Sequence, residues 1–97
     1  MKISKKKDGY HITAEGELTI YTAAETSRQF HESLAETVAV TIDLSHVTEI
    51  DTAGVQILLL LQRHQAIKGK SFRLVNPGPD VAEVLQLLQL QTLWSDA

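Results

Sequence analysis

The chain of 97 residues contains no cysteine. Disulfides, thiol nucleophiles and cysteine-ligated metal are therefore excluded. Its two prolines both fall in Asn76-Pro77-Gly78-Pro79, so no proline-rich linker divides it. Gly9, Gly16, Gly54, Gly69 and Gly78 stand apart from one another, which leaves no glycine-rich phosphate loop. The longest unbroken apolar run, Ile57 to Leu61, is far short of the roughly 20 residues that span a membrane. The lysines near the N-terminus have no apolar segment behind them, so no secretory signal is expected. An excess of basic charge is missing too, with 9 Lys and Arg against 12 Asp and Glu. A mildly acidic protein is a poor general binder of nucleic acid or anionic lipid. The expectation is a cytoplasmic protein with no nucleic-acid partner and no direct membrane insertion.

What is present is an ordinary globular composition, 43% hydrophobic and 22% charged, enough for one core. Residues 1–97 read as a single domain.

The chain is organised around the stretch from Val38 to Val55. Val38 to Leu44 is β-branched and almost continuously apolar, the pattern of a buried central strand. Ser45 to Glu49 reads as a polar loop, and Ile50 as a core plug before an abrupt helix start at Asp51-Thr52-Ala53-Gly54. A hydroxyl is thus delivered to a first helical turn just past the end of a core strand, where α/β folds tend to place ligands and modifications.

Upstream, Met1 to Lys7 reads as an edge strand whose lysines blunt edge-to-edge pairing. Asp8-Gly9 is a hairpin signal. Tyr10 to Ala14 alternates as a strand, Glu15-Gly16-Glu17 breaks it, and Leu18 to Tyr21 continues extended. Thr22-Ala23-Ala24-Glu25 has the form of a capping box, opening a helix from about Ala23 to Glu36. The second helix is expected from Thr52 or Ala53 to about Lys68, with Ala53, Ile57, Leu60, Leu61, His64 and Ile67 on one broad face. Val55, Leu58 and Leu59 add a second apolar side, so this helix is either central or carries a partner surface. Lys68, Gly69 and Lys70 suit its end. Ser71 to Asn76 is a last full strand, and Pro79 opens a third helix to about Leu88 with Val81, Val84, Leu85 and Leu88 inward. Leu90, Leu93 and Trp94 make an apolar tail expected to fold back on the core. The resulting α/β fold is a small mixed sheet of four to five strands, with three to four helices packed against it.

Catalytic patterns are missing. His11, His31, His46 and His64 are scattered, so neither a metal site nor a cofactor is expected. No Gly-x-Ser-x-Gly elbow presents a serine nucleophile. Asp43, Glu49 and Asp51 cluster near the strand end but lack a second acid–base partner, so no catalytic residue is expected. An enzyme using those three carboxylates is the alternative, and it would need a bound metal or a deep acidic pocket. At the helix start, Asp51 or Thr52 can cap free amides while Gly54 permits close backbone approach. The same hydroxyl can serve as a phosphoacceptor, because a phosphate gains from the amides and dipole of a helix N-terminus. The two roles are compatible.

Gly16-Glu17-Leu18, Thr22-Ala23-Ala24-Glu25, Ile42-Asp43-Leu44 and Ile50-Asp51-Thr52-Ala53-Gly54-Val55 resemble the STAS family, named for sulfate transporters and anti-sigma factor antagonists. The resemblance runs from about Ile3 to Trp94. It implies a stand-alone member of anti-sigma antagonist type, bound by a GHKL-type serine/threonine kinase that doubles as the anti-sigma factor. By the same resemblance Thr52 is the phosphorylation site. The partner surface comprises Glu17, Ser45, His46, Glu49, Asp51, Thr52, Ala53, Gly54, Val55 and Gln56. Thr52 stands where the family more often has serine, and Thr19 where aspartate often follows Gly-Glu-Leu. A second branch carries Asp-Thr-x-Gly and serves as the cytoplasmic subunit of a phospholipid-transporting ABC complex, its threonine contacting the ATPase. A third possibility is a partner of a sensor-kinase or chemotaxis-type cluster. A monomer or weak dimer is expected in each case.

Overall fold

The computed structural model of the protein describes residues 2–33, 38–88 and 94–95. The elements run β1 (Lys2–Lys6), β2 (Gly9–Leu18), α1 (Ala23–Ser33), β3 (Val40–Ile50), α2 (Thr52–Ile67), β4 (Phe72–Val75), α3 (Pro79–Leu87) and β5 (Trp94–Ser95). The five strands lie side by side in chain order. β1 and β2 form an antiparallel hairpin, and every later neighbour is parallel. The sheet advances in one direction through three right-handed crossovers, which puts α1, α2 and α3 on the same face. β3 is central, as its apolar run implies.

Register explains the core. Tyr10, Val40 and Phe72 form one row across the sheet, and Ile12, Ile42 and Leu74 the next. All but the half-buried Phe72 are buried on the helix side. Each such aliphatic side chain contributes roughly 1.5–3 kcal/mol of burial. The alternating row of His11, Thr41 and Arg73 faces away from the helices.

The expected loop from Ser45 to Glu49 is instead strand. β3 continues to Ile50, paired with Glu15 to Leu18. Two register shifts explain why its pattern was unreadable as a strand: each sets one extra β3 residue against β2. The buried positions therefore step from Val40, Ile42 and Leu44 to Val47 and then Ile50, with spacing two becoming spacing three. β2 likewise runs unbroken through Glu15-Gly16-Glu17, with Gly16 at a φ of 76°. It stops at Leu18, so Thr19 to Thr22 is a turn rather than an extended segment.

The capping box is not formed. The Thr22 hydroxyl donates to the Glu17 carbonyl at 2.8 Å and accepts from the Thr19 amide at 3.0 Å, closing the turn instead. Glu25 pairs with Arg28 and Gln29 along the helix surface. Leu34 to Glu36, expected as the end of this helix, lie outside the described residues.

α2 has the expected length, but its inward face is Gly54, Val55, Leu58 and Gln65. Ile57 and Leu61 pack toward α1, while Leu60 and Ile67 of the expected face are 62% and 80% exposed. Gly69, at φ 70°, ends the helix: its amide bonds Ala66 and that of Lys70 bonds Gln65, a Schellman closure. Trp94 returns to the sheet as a short fifth strand beside Leu74 of β4, and Leu90 and Leu93 lie outside the described residues.

Gln65 is the buried polar residue of α2. Its Nε2 donates to the Val38 carbonyl at 2.7 Å and the Ser71 carbonyl at 3.2 Å, stapling the helix to the starts of β3 and β4. Gln65→Leu should lower unfolding free energy by about 1–3 kcal/mol in urea titration, since a buried carbonyl loses its donor. Leu60→Gln, on the exposed side, should change it by no more than about 0.5 kcal/mol.

Candidate functional site

The site forms where β2 and β3 end and α2 begins. The Asp51 amide donates to the Leu18 carbonyl at 3.2 Å, pinning the helix start to the end of β2. A Cβ at position 54 would lie 2.0 Å from that same carbonyl oxygen, so only glycine fits there. This close approach brings the Asp51 carboxylate within reach of two amides. One oxygen accepts from the Gly54 amide at 3.0 Å, the ordinary N-cap bond. The other accepts from the Ile20 amide at 2.9 Å, thirty-one residues away in sequence, and fixes the β2–α1 turn.

The Ile20 and Gly54 bonds hold the Asp51 carboxyl below its ordinary pKa, against the opposing effect of burial, and the nearby Ala53 and Asp51 amides add to the lowering. Asp43 is also held low. Burial opposes this, but the Ser45 amide and hydroxyl, the Asn76 amide and the nearby His46 outweigh it.

Thr52 is the first helical residue and is exposed, while Asp51 serves as the cap. Glu17 and Glu49 are exposed and face each other across the β2–β3 register. They lie next to the buried Leu18–Ile50 pair, at the strand ends that lead into Asp51. Gln56 is exposed one turn further along α2, and Ala53 is half-buried. Ser45 and His46 are exposed in β3, with Ser45 Oγ 3.1 Å from His46 Nδ1. Gly54 and Val55 are buried and offer no contact surface, because α2 turns both against the sheet. They pack the helix against the sheet, and of the ten residues expected at a partner surface these two are the ones without exposed surface.

Ile20 and Tyr21 are two exposed apolar residues that the sequence pattern does not single out. They lie in the turn with 68% and 91% of their surfaces exposed, and the Ile20 amide bonds Asp51. The available signal is two large apolar residues just before a helix start, in a stretch expected to be extended. No group of three or more metal-ligating side chains is found among the described residues.

A family model described as "Mlab, STAS domain" matches residues 1–95. Among solved structures, the unphosphorylated anti-sigma factor antagonist SpoIIAA is similar, with TM-score 0.82 and 21% identity, over 99% of this chain and 86% of that one. A putative anti-sigma factor antagonist from Thermotoga maritima gives TM-score 0.86 and 20% identity, over 98% and 86%. The phosphorylated form of SpoIIAA from Bacillus gives 0.74 and 18%, over 99% and 89%. At these identities the likeness establishes a shared fold.

The depressed Asp51 carboxyl has a pH consequence. Its stabilising effect is fully present above the ordinary Asp pKa of about 3.9 and is lost as pH falls through the lower folded value. Asp51→Asn keeps one acceptor for the Gly54 cap but carries no titrating charge. In urea titrations, wild type should lose more stability than Asp51→Asn between about pH 5 and pH 2. Parallel curves would mean that Asp51 does not carry this linkage.

Proposed function

The chain belongs to the STAS domain family, and on that premise we propose that it is a non-catalytic interaction domain switched at Thr52. The carrying observation is the division of labour at the helix start. Asp51 caps α2 and holds the Ile20 turn with its two oxygens, which leaves the Thr52 hydroxyl exposed and not needed as the cap. Such a hydroxyl can be modified or contacted without dismantling the fold.

The proposed binding surface is Tyr21 and Ile20, the first turn of α2 at Thr52 and Gln56, and the flanking carboxylates Glu17 and Glu49. Tyr21 has the character of an interface anchor: large, rigid and amphipathic. The proposed partner is a GHKL-type kinase that doubles as an anti-sigma factor, acting in the cytoplasm. The fold shared with SpoIIAA, solved in both phosphorylated and unphosphorylated forms, supports this reading. A phosphate on Thr52 adds about −1.5 to −2 charges. It would lie next to Asp51 and near Glu17 and Glu49, beside an apolar pair that must be desolvated for contact. The modified surface is disfavoured for binding by that uncompensated charge. Among the described residues no helix is long and apolar enough to cross a membrane.

A second reading keeps the surface and changes the partner to the ATPase of a phospholipid-transporting ABC complex. It is favoured by the threonine in Asp51-Thr52-Ala53-Gly54 and by a family description that names Mlab. Thr52 is then a contact residue rather than a phosphosite.

Purification of the tagged protein from its native cells, with mass spectrometry, separates the two partners. Against the recovered partner, Thr52→Asp should weaken binding at least about tenfold, or about 1.4 kcal/mol. Tyr21→Ala should weaken it similarly, and Thr52→Ala should retain binding in the switch reading. Wild-type affinity in both Thr52→Asp and Tyr21→Ala would remove this surface from the account.

A further inference from the structure

A second site lies on the same helix, away from Thr52. α1 and α2 are both crossovers between parallel strands, so they run in the same direction. Between them lies a groove of about 350 Å³, lined by Ser27, Phe30, His31, Ile57, Leu60, Leu61, His64 and Lys68. That volume is in the range of small-molecule sites. Phe30 and Ile57 are buried at its floor, Leu61 is half-buried, and Leu60 is 62% exposed at its edge.

The lysine and imidazoles of the lining are one-sided, while Ser27 lies a turn before His31 on α1. His31 belongs to the last described turn of α1, and His64 and Lys68 to the last turn and cap of α2. These three donors therefore gather at the C-terminal end of the groove, while Ile57 and Leu60 extend its apolar part toward the other end. His64 lies twelve residues beyond Thr52, about 18 Å along the helix axis at 1.5 Å per residue. Among the described residues, those lining the groove include no carboxylate.

We propose that this groove binds an anionic amphiphile, a monoacyl carboxylate of fatty-acid type. Its chain would lie over Phe30, Ile57, Leu60 and Leu61, and its carboxylate would be held by Lys68 with His31 and His64. The apolar trough buries the tail, and the ammonium and imidazole N–H groups supply charge-assisted and neutral hydrogen bonds to the head. A cationic amphiphile would meet like charge at Lys68. This site stands independently of the partner surface at Thr52.

The test is an amide-resolved NMR titration of the full chain with decanoate below its micellar concentration, beside decyltrimethylammonium as the cationic counterpart. Saturable shifts at groove residues with decanoate, and at least about fivefold weaker binding of the cation, are expected. Lys68→Glu should weaken decanoate about three- to tenfold, and Leu60→Glu at least tenfold. Both positions are at the groove edge, and dispersed spectra check that each variant folds. Absence of saturable binding, equal binding of the two head groups, or indifference to both substitutions would overturn the proposal. So would shifts centred on Ile20 and Thr52 instead of the groove.

Discussion

The Leu18 carbonyl and the backbone of Asp51 to Gly54 are pressed together, and the rest of the site depends on that contact. The carbonyl takes the Asp51 amide and leaves no space for a side chain at position 54. A larger residue there would push α2 off the end of β2. With the two segments in contact, one carboxylate spans the gap and bonds amides of both. The turn carrying Ile20 and Tyr21 and the helix start carrying Thr52 become a single rigid surface. A close backbone approach thus leads to a shared carboxylate, and the carboxylate to an exposed hydroxyl beside an apolar tip.

α2 illustrates how one apolar helix serves several neighbours. Val55 and Leu58 face the sheet, Ile57 and Leu61 face α1, and Gln65 satisfies carbonyls at the strand starts. Its N-terminal end presents the charged and hydroxyl-bearing surface, and its C-terminal end the basic rim of the α1–α2 groove. Nearly continuous apolar sequence from Val55 to Leu61 is what a helix needs when it packs in two directions at once.

Much of this was legible in the sequence where the signal was local. The two-residue alternation of Tyr10 to Ala14, the apolar run of β3, Pro79 at a helix start and Gly69 at a helix end each named their element correctly. Thr52 and Gly54 were legible as the helix start for the same reason. The failures have a common physical cause, which is dependence on a distant partner. The spacing of Leu44, Val47 and Ile50 makes sense only once β2 supplies the register and its two bulges. The Thr22 hydroxyl serves Glu17 and Thr19 rather than the amide three residues ahead, because the turn brings those groups closer. Ile20 and Tyr21 gain meaning from Asp51, thirty-one positions downstream of the bonded amide. A helical wheel shows that α2 is apolar all round but not which side the sheet takes.

The most direct measurement is amide hydrogen exchange at Ile20 in wild type and in Asp51→Asn. Aspartate offers both oxygens, one to each segment, whereas asparagine offers one oxygen and turns a donor toward the second amide. The expected result is selective acceleration of Ile20 exchange in Asp51→Asn, with core amides such as Ile42 unchanged. Unchanged protection at Ile20 would contradict the claim that the Asp51 carboxylate joins the turn to the helix start.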